Sequence, residues 1–146
     1  MSRAGFFAHV ATTLAMACVV WYVQLVHYPG FARVPPEAFA AYETENVRLT
    51  SLAVGPIMAL EAATGLLLLW RRPPGVGRAS CLVGAALLGC LWLSTALVQL
   101  PLQVALSGGF DPELHAALMR SNWTRTLCWT ARGVVVLSMA WGAIRR

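Results

Sequence analysis

The chain has 146 residues, 58% of them hydrophobic and only 12% charged, with a formal net charge of +5. So little charge cannot cover the surface of a soluble domain of this size. Nor is the positive balance a nucleic-acid footprint, because the eleven basic residues, all arginine, are, apart from Arg132, divided between the two ends of long apolar stretches rather than gathered on one patch.

Four such stretches run over 6–28, 49–70, 79–100 and 124–144. Each is about 20 residues, the length at which a helix crosses the roughly 30 Å apolar layer of a bilayer. The expected fold is all-α, an integral membrane four-helix bundle forming a single domain over 1–146, with short amphipathic external helices. The first stretch is too long for the h-region of a signal peptide and lacks a small-residue cleavage site, so it is expected to remain attached. Arg3, Arg71, Arg72, Arg78, Arg145 and Arg146 fall on one side of four antiparallel spans, which makes that side, with both termini, cytoplasmic.

Steps of three and four residues link His9, Thr13, Met16, Val20, Gln24 and His27 along one stripe of the first span, which should face the other helices. Tyr28-Pro29-Gly30 is expected to end that helix. In the following connection Pro35-Pro36 suits a helix start, and Phe39, Tyr42, Asn46 and Leu49 then recur at helical spacing. No breaker separates this segment from the second span, so that helix should begin outside the bilayer, with Glu43 and Glu45 on a solvated face. Within the second span Thr50, Val54, Ile57, Glu61 and Thr64 share a face, and Pro56 implies a kink.

The third span opens with small residues, Gly84, Ala85, Ala86 and Gly89, that permit close helix approach, and ends with Trp92, Thr95, Gln99 and Gln103 at helical spacing around Pro101. Asp111-Pro112 reads as an N-cap with proline at the first helical position, predicting a short interfacial helix that carries His115. Ser121 or Asn122 is then expected to cap the fourth span, where Arg125, Trp129, Arg132 and Val136 share a face. Cys18, Cys81, Cys90 and Cys128 show no CxxC spacing and read as buried thiols.

A carboxylate at bilayer depth costs roughly 2.5–3.5 kcal/mol on insertion scales, so Glu61 should face the bundle interior with a partner. Arg132 is the expected partner, at a depth differing by about 4.5 Å along antiparallel helices. Gln24, His27, Gln99, Gln103, Arg125 and His115 gather toward the outer half, which suggests either a cavity open to the outer side and floored by Glu61 and Arg132, or polar groups that only hold helices together. No cofactor is expected. A bis-histidine haem lacks two imidazoles at matching depth, and a metal set of His27, His115 and Glu61 has no spacing signature.

The order of Pro29, the pair Pro56 and Met58, the run Gln99-x-Pro101-x-Gln103 and the opening Asn122-Trp123-x-Arg125-Thr126 resembles the small four-helix membrane proteins related to anthrone oxygenases. The match departs at Gln99 and Gln103, where that family's third helix carries asparagines. The resemblance implies the same fold and, if the activity follows, cofactor-free oxygenation of a phenolic tricycle. His27 would then be the base, with Glu61 as the alternative, and Arg125 or Arg132 would stabilise the oxyanion. Two function classes stand: an oxygenase-like enzyme acting on a hydrophobic substrate that arrives from lipid, or a non-catalytic subunit, assembly partner or binder of lipid or small molecules. Homo-oligomers and partner membrane proteins fit either class. A transporter fits less well, because four helices without an internal repeat make a poor alternating-access device.

Overall fold

The computed structural model describes residues 1–145; Arg146, counted above with the cytoplasmic arginines, lies outside the described residues. The chain forms four helices, α1 (Arg3–Arg33), α2 (Pro36–Trp70), α3 (Arg78–Leu106) and α4 (Pro112–Ile144), each long and apolar enough to cross a membrane. It is an all-α, multi-pass membrane bundle. Below, the end that holds Met1 and Arg145 is the proximal end and the opposite one the distal end.

Local chemistry fixes the helix starts. Ser2 Oγ accepts from Gly5 N–H at 3.1 Å, and Asp111 Oδ1 accepts from Glu113 and Leu114 N–H at 2.8 and 3.0 Å, satisfying donors that would otherwise be orphaned. At the proximal end the Met1 ammonium donates to Arg71 O at 2.9 Å. The turn between α2 and α3 passes through Gly75 at φ +84°, so close to the backbone of Gly142 that a Cβ there would collide with the Gly142 carbonyl. At the distal end His115 Nε2 donates to Tyr28 O at 2.8 Å, joining α4 to α1.

Apolar side chains pack in three layers along the bundle: Phe6, Leu68, Val76, Cys81 and Met139 at the proximal end; Met16, Val20, Met58, Leu91 and Trp129 in the middle; and Tyr28, Phe31, Phe39, Leu106 and Leu118 at the distal end. Polar residues occupy the two intervals between them.

Several expectations need correction. Tyr28-Pro29-Gly30 does not end α1, which continues past Pro29 as α3 continues past Pro101. Each helix passes its proline after a π turn, Val23–His27 in α1 and Thr95–Gln99 in α3. A proline cannot donate to the carbonyl one turn earlier and its ring crowds that carbonyl; the wider π turn gives it room. The turn also delays the buried stripe of α1, so that Tyr28 rather than His27 follows Gln24 inward. The external segment at Asp111 is not a separate helix, since α4 runs unbroken to Ile144. Neither Ser121 nor Asn122 caps it: Ser121 Oγ donates to Leu118 O, and Asn122 bonds Gln24 across the bundle. The extension of α2 is continuous with its span, as expected, but Glu43 does not lie on a solvated face. Phe39 and Glu43 are fully buried, whereas Glu45 is exposed and paired with Arg48.

Candidate functional site

The proximal polar interval is a charge cluster contributed by all four helices. Arg132 of α4 donates through Nη2 to Glu61 Oε1 of α2 and through Nη1 to Gly84 O of α3, and its guanidinium lies 5.9 Å from the Trp129 ring centroid. Thr13 of α1 donates to the same Glu61 oxygen at 3.0 Å. His9 Nδ1 is 3.0 Å from Thr64 Oγ1 and 4.0 Å from Glu61 Oε1. The Thr64 proton goes to Leu60 O at 2.7 Å, so Thr64 accepts from His9, and the network assigns the imidazole proton to Nδ1. Gly65 has no side chain where a Cβ would stand 3.1 Å from His9 Cε1 and 3.3 Å from Arg132 Nη2. The pairing of Glu61 with Arg132 expected from the sequence is therefore present, and the small residue at Gly84 serves it by offering a backbone carbonyl.

The distal interval contains a cavity of about 250 Å³. His27 and Tyr28 of α1, Thr50 and Ser51 of α2, Gln99 and Gln103 of α3 and Arg125 of α4 give it a polar upper wall. Met16, Val20 and Met58 belong both to its lining and to the middle apolar layer. The cavity is thus floored by that layer, which corrects the expectation that Glu61 and Arg132 form its floor: neither lines it, and the methionines separate the charge pair from the space. Trp92, Thr95, Gln99 and Gln103 all line one wall, the face their spacing implied.

A second hydrogen-bond network holds the wall. Asn122 Nδ2 donates to Gln24 Oε1 at 3.0 Å, Gln24 Nε2 donates to Met119 O at 3.3 Å, and Arg125 Nη1 donates to Asn122 Oδ1 at 3.1 Å. Gln103 Nε2 donates to the Tyr28 phenol oxygen at 3.1 Å, and the Arg125 guanidinium lies beside the same phenol. Ser94 Oγ donates to Gln99 Oε1 at 2.9 Å. Gln24 and Asn122 are therefore buried supports behind the cavity rather than parts of its lining. Trp123 faces outward and meets Trp21 edge to face at 5.8 Å, away from the space. His27 reaches the cavity at the end of the π turn and lies beside Asn46, whose amide in turn donates to Glu43 at 2.9 Å.

His27, His115 and Glu61 are not gathered as a ligand set. Glu61 is engaged by Arg132 and His115 by Tyr28 O, and no group of three or more His, Cys, Asp or Glu side chains suited to a metal occurs among the described residues. Sequence reasoning missed Tyr28, whose phenol accepts from Gln103 in the wall, because an ideal helical stripe passes through His27. It also left out His9 and Thr13 as members of the charge cluster, although both stand on the stripe it drew.

Breaking the Glu61–Arg132 pair should be costly, because the surviving charge is left buried. Glu61→Gln and Arg132→Gln should each destabilise the bundle by about 3–5 kcal/mol, with the double variant losing clearly less than the sum; denaturation in detergent micelles measures both. The chain matches no family model, no curated protein sequence and no solved structure, so what it is taken to do rests on this geometry.

Proposed function

We propose that the chain is a membrane protein that takes a hydrophobic small molecule from the lipid into the distal cavity. The observation that carries this reading is that the cavity adjoins a surface recess on the seam between α1 and α2. Val19, Val23, His27, Thr50 and Val54 line both. A molecule dissolved in the bilayer can pass through such a seam without crossing water, and its polar end then meets the polar wall. Ligand sites between bundle helices commonly combine an apolar body with a few polar groups in this way. Positive-inside placement of the proximal arginines makes the distal half the outer one, with both termini cytoplasmic.

A second reading draws on the presence of His27 and Arg125 in the same cavity wall. There the oxygenase chemistry of the resembling family has a base and a cation at hand: the imidazole takes a proton from an acidic methylene, the carbanion reduces dioxygen, and the hydroperoxide loses water to leave a carbonyl. Overall, one methylene and one dioxygen become one carbonyl and one water, and no further oxidant is required. Arg125 would stabilise the phenolate or enolate oxygen. Glu61 is a poorer base in this reading, because Arg132 and Thr13 occupy its Oε1 and the apolar layer lies between it and the cavity.

Three measurements test these statements. In nanodiscs, 11-bromoundecanol should quench Trp92, seen as the difference between the native chain and Trp92→Phe, and Val54→Phe should abolish that difference by filling the seam; undiminished Trp92 emission would refute the binding reading. Oxygen uptake with a phenolic tricycle bearing an acidic methylene should fall at least about a hundredfold in His27→Gln, the usual scale for losing a general base. A green fluorescent protein fused after Arg146 should fluoresce in cells, as a cytoplasmic C-terminus requires.

A further inference from the structure

The cavity wall carries an imbalance of hydrogen-bonding groups. Among the described residues, Arg48 pairs with Glu45 and Arg132 with Glu61, but no carboxylate lies within ion-pair distance of Arg125. Its Nη1 is held by Asn122, its guanidinium lies beside the Tyr28 phenol, and its buried Nε has no partner. Gln99, only 1% exposed, has its oxygen engaged by Ser94 while its Nε2 has no partner. Both side chains line the same cavity. The hydroxyl protons of the two wall threonines are already used within the protein, since Thr50 donates to Asn46 Oδ1 at 3.3 Å and Thr95 to Leu91 O at 2.8 Å. The other buried carboxyl of this half, Glu43, is absent from the wall and accepts from Asn46.

Two unpartnered donors, one of them cationic, thus belong to side chains that line a space whose apolar part is formed by residues such as Met16, Val20, Val54, Met58 and Leu100. Leaving buried donors unmade costs about 1–3 kcal/mol each and more for a charged group, so the complementary occupant is an oxygen acceptor with negative charge. We propose, resting on the reading of this cavity as a lipid-accessible binding site, that its ligand is an amphiphile with a single carboxylate headgroup held by Arg125 and Gln99 and an apolar chain. One guanidinium and one amide match the charge and the two oxygens of a carboxylate. The volume of about 250 Å³ is below the roughly 300 Å³ at which whole drug-sized ligands begin to be enclosed, so the head and the first part of the chain fit while the rest leaves through the α1–α2 seam.

The test compares 11-bromoundecanoate, 11-bromoundecanol and 11-bromoundecyl phosphate in nanodiscs of zwitterionic lipid at alkaline pH, read as Trp92-dependent quenching. The carboxylate should half-saturate at a concentration at least tenfold below that of the alcohol, and Arg125→Gln should close that gap. Arg125→Lys should keep part of it. Gln99→Leu, which retains the guanidinium, should narrow it, and decides the matter if Arg125→Gln does not fold. Equal affinity of acid and alcohol for the native chain would overturn the carboxylate site while leaving the binding reading intact. A gap unchanged in Arg125→Gln and Gln99→Leu would do the same, and tighter phosphate than carboxylate binding would overturn the headgroup assignment. Quenching by none of the three probes would overturn the binding reading itself.

Discussion

A guanidinium in the middle of an apolar bundle organises this structure. Arg132 enters from α4 and reaches a carboxylate of α2 and a carbonyl of α3, while α1 adds the Thr13 hydroxyl to the same carboxylate. All four helices therefore meet at one charge cluster. In lipid the apolar faces gain little by turning toward each other, because the surroundings are equally apolar, so polar contacts and close packing must specify which faces meet. An acid and a base that cannot be left apart do this with little ambiguity, since each alternative rotation of α2 or α4 exposes a charge to hydrocarbon.

The rest of the bundle can then be less regular. The three apolar layers fill the space on either side of the charge cluster, while the distal interval is left incompletely packed around a cavity. Both helices that turn through a π segment do so at this level, and His27 and Gln99, the last residues of the two π turns, both line the space. A π turn carries an extra residue and re-aims the side chains that follow it, a distortion that recurs at functional positions. Pro29 and Pro101 account for why the distortion sits where it does.

The two polar intervals differ in how their charges are compensated. In the proximal one, cation and anion compensate each other within the protein and the methionine layer closes the cluster off. In the distal one, the guanidinium of Arg125 is held in place by Asn122 and Gln24 but not neutralised among the described residues. A buried charge supported by hydrogen bonds and lacking a counter-charge is poor helix glue, because part of its interaction capacity remains unmet.

Composition and periodicity by themselves determined the four spans, their antiparallel order and the pairing of Glu61 with Arg132. These follow from the length of a bilayer-crossing helix and from the cost of an isolated charge, which do not depend on detailed packing. The alignment of Trp92, Thr95, Gln99 and Gln103 on one wall was legible for the same reason, since helical spacing carried it across the π turn. Only the tertiary structure decided that α1 continues past Pro29, that Tyr28 replaces His27 in the buried stripe, that Glu43 is buried, and that Met16 and Met58 stand between the charge pair and the cavity. Each of these depends on a register change of one residue or on which neighbour fills a gap, and a helical wheel drawn on an ideal period contains neither.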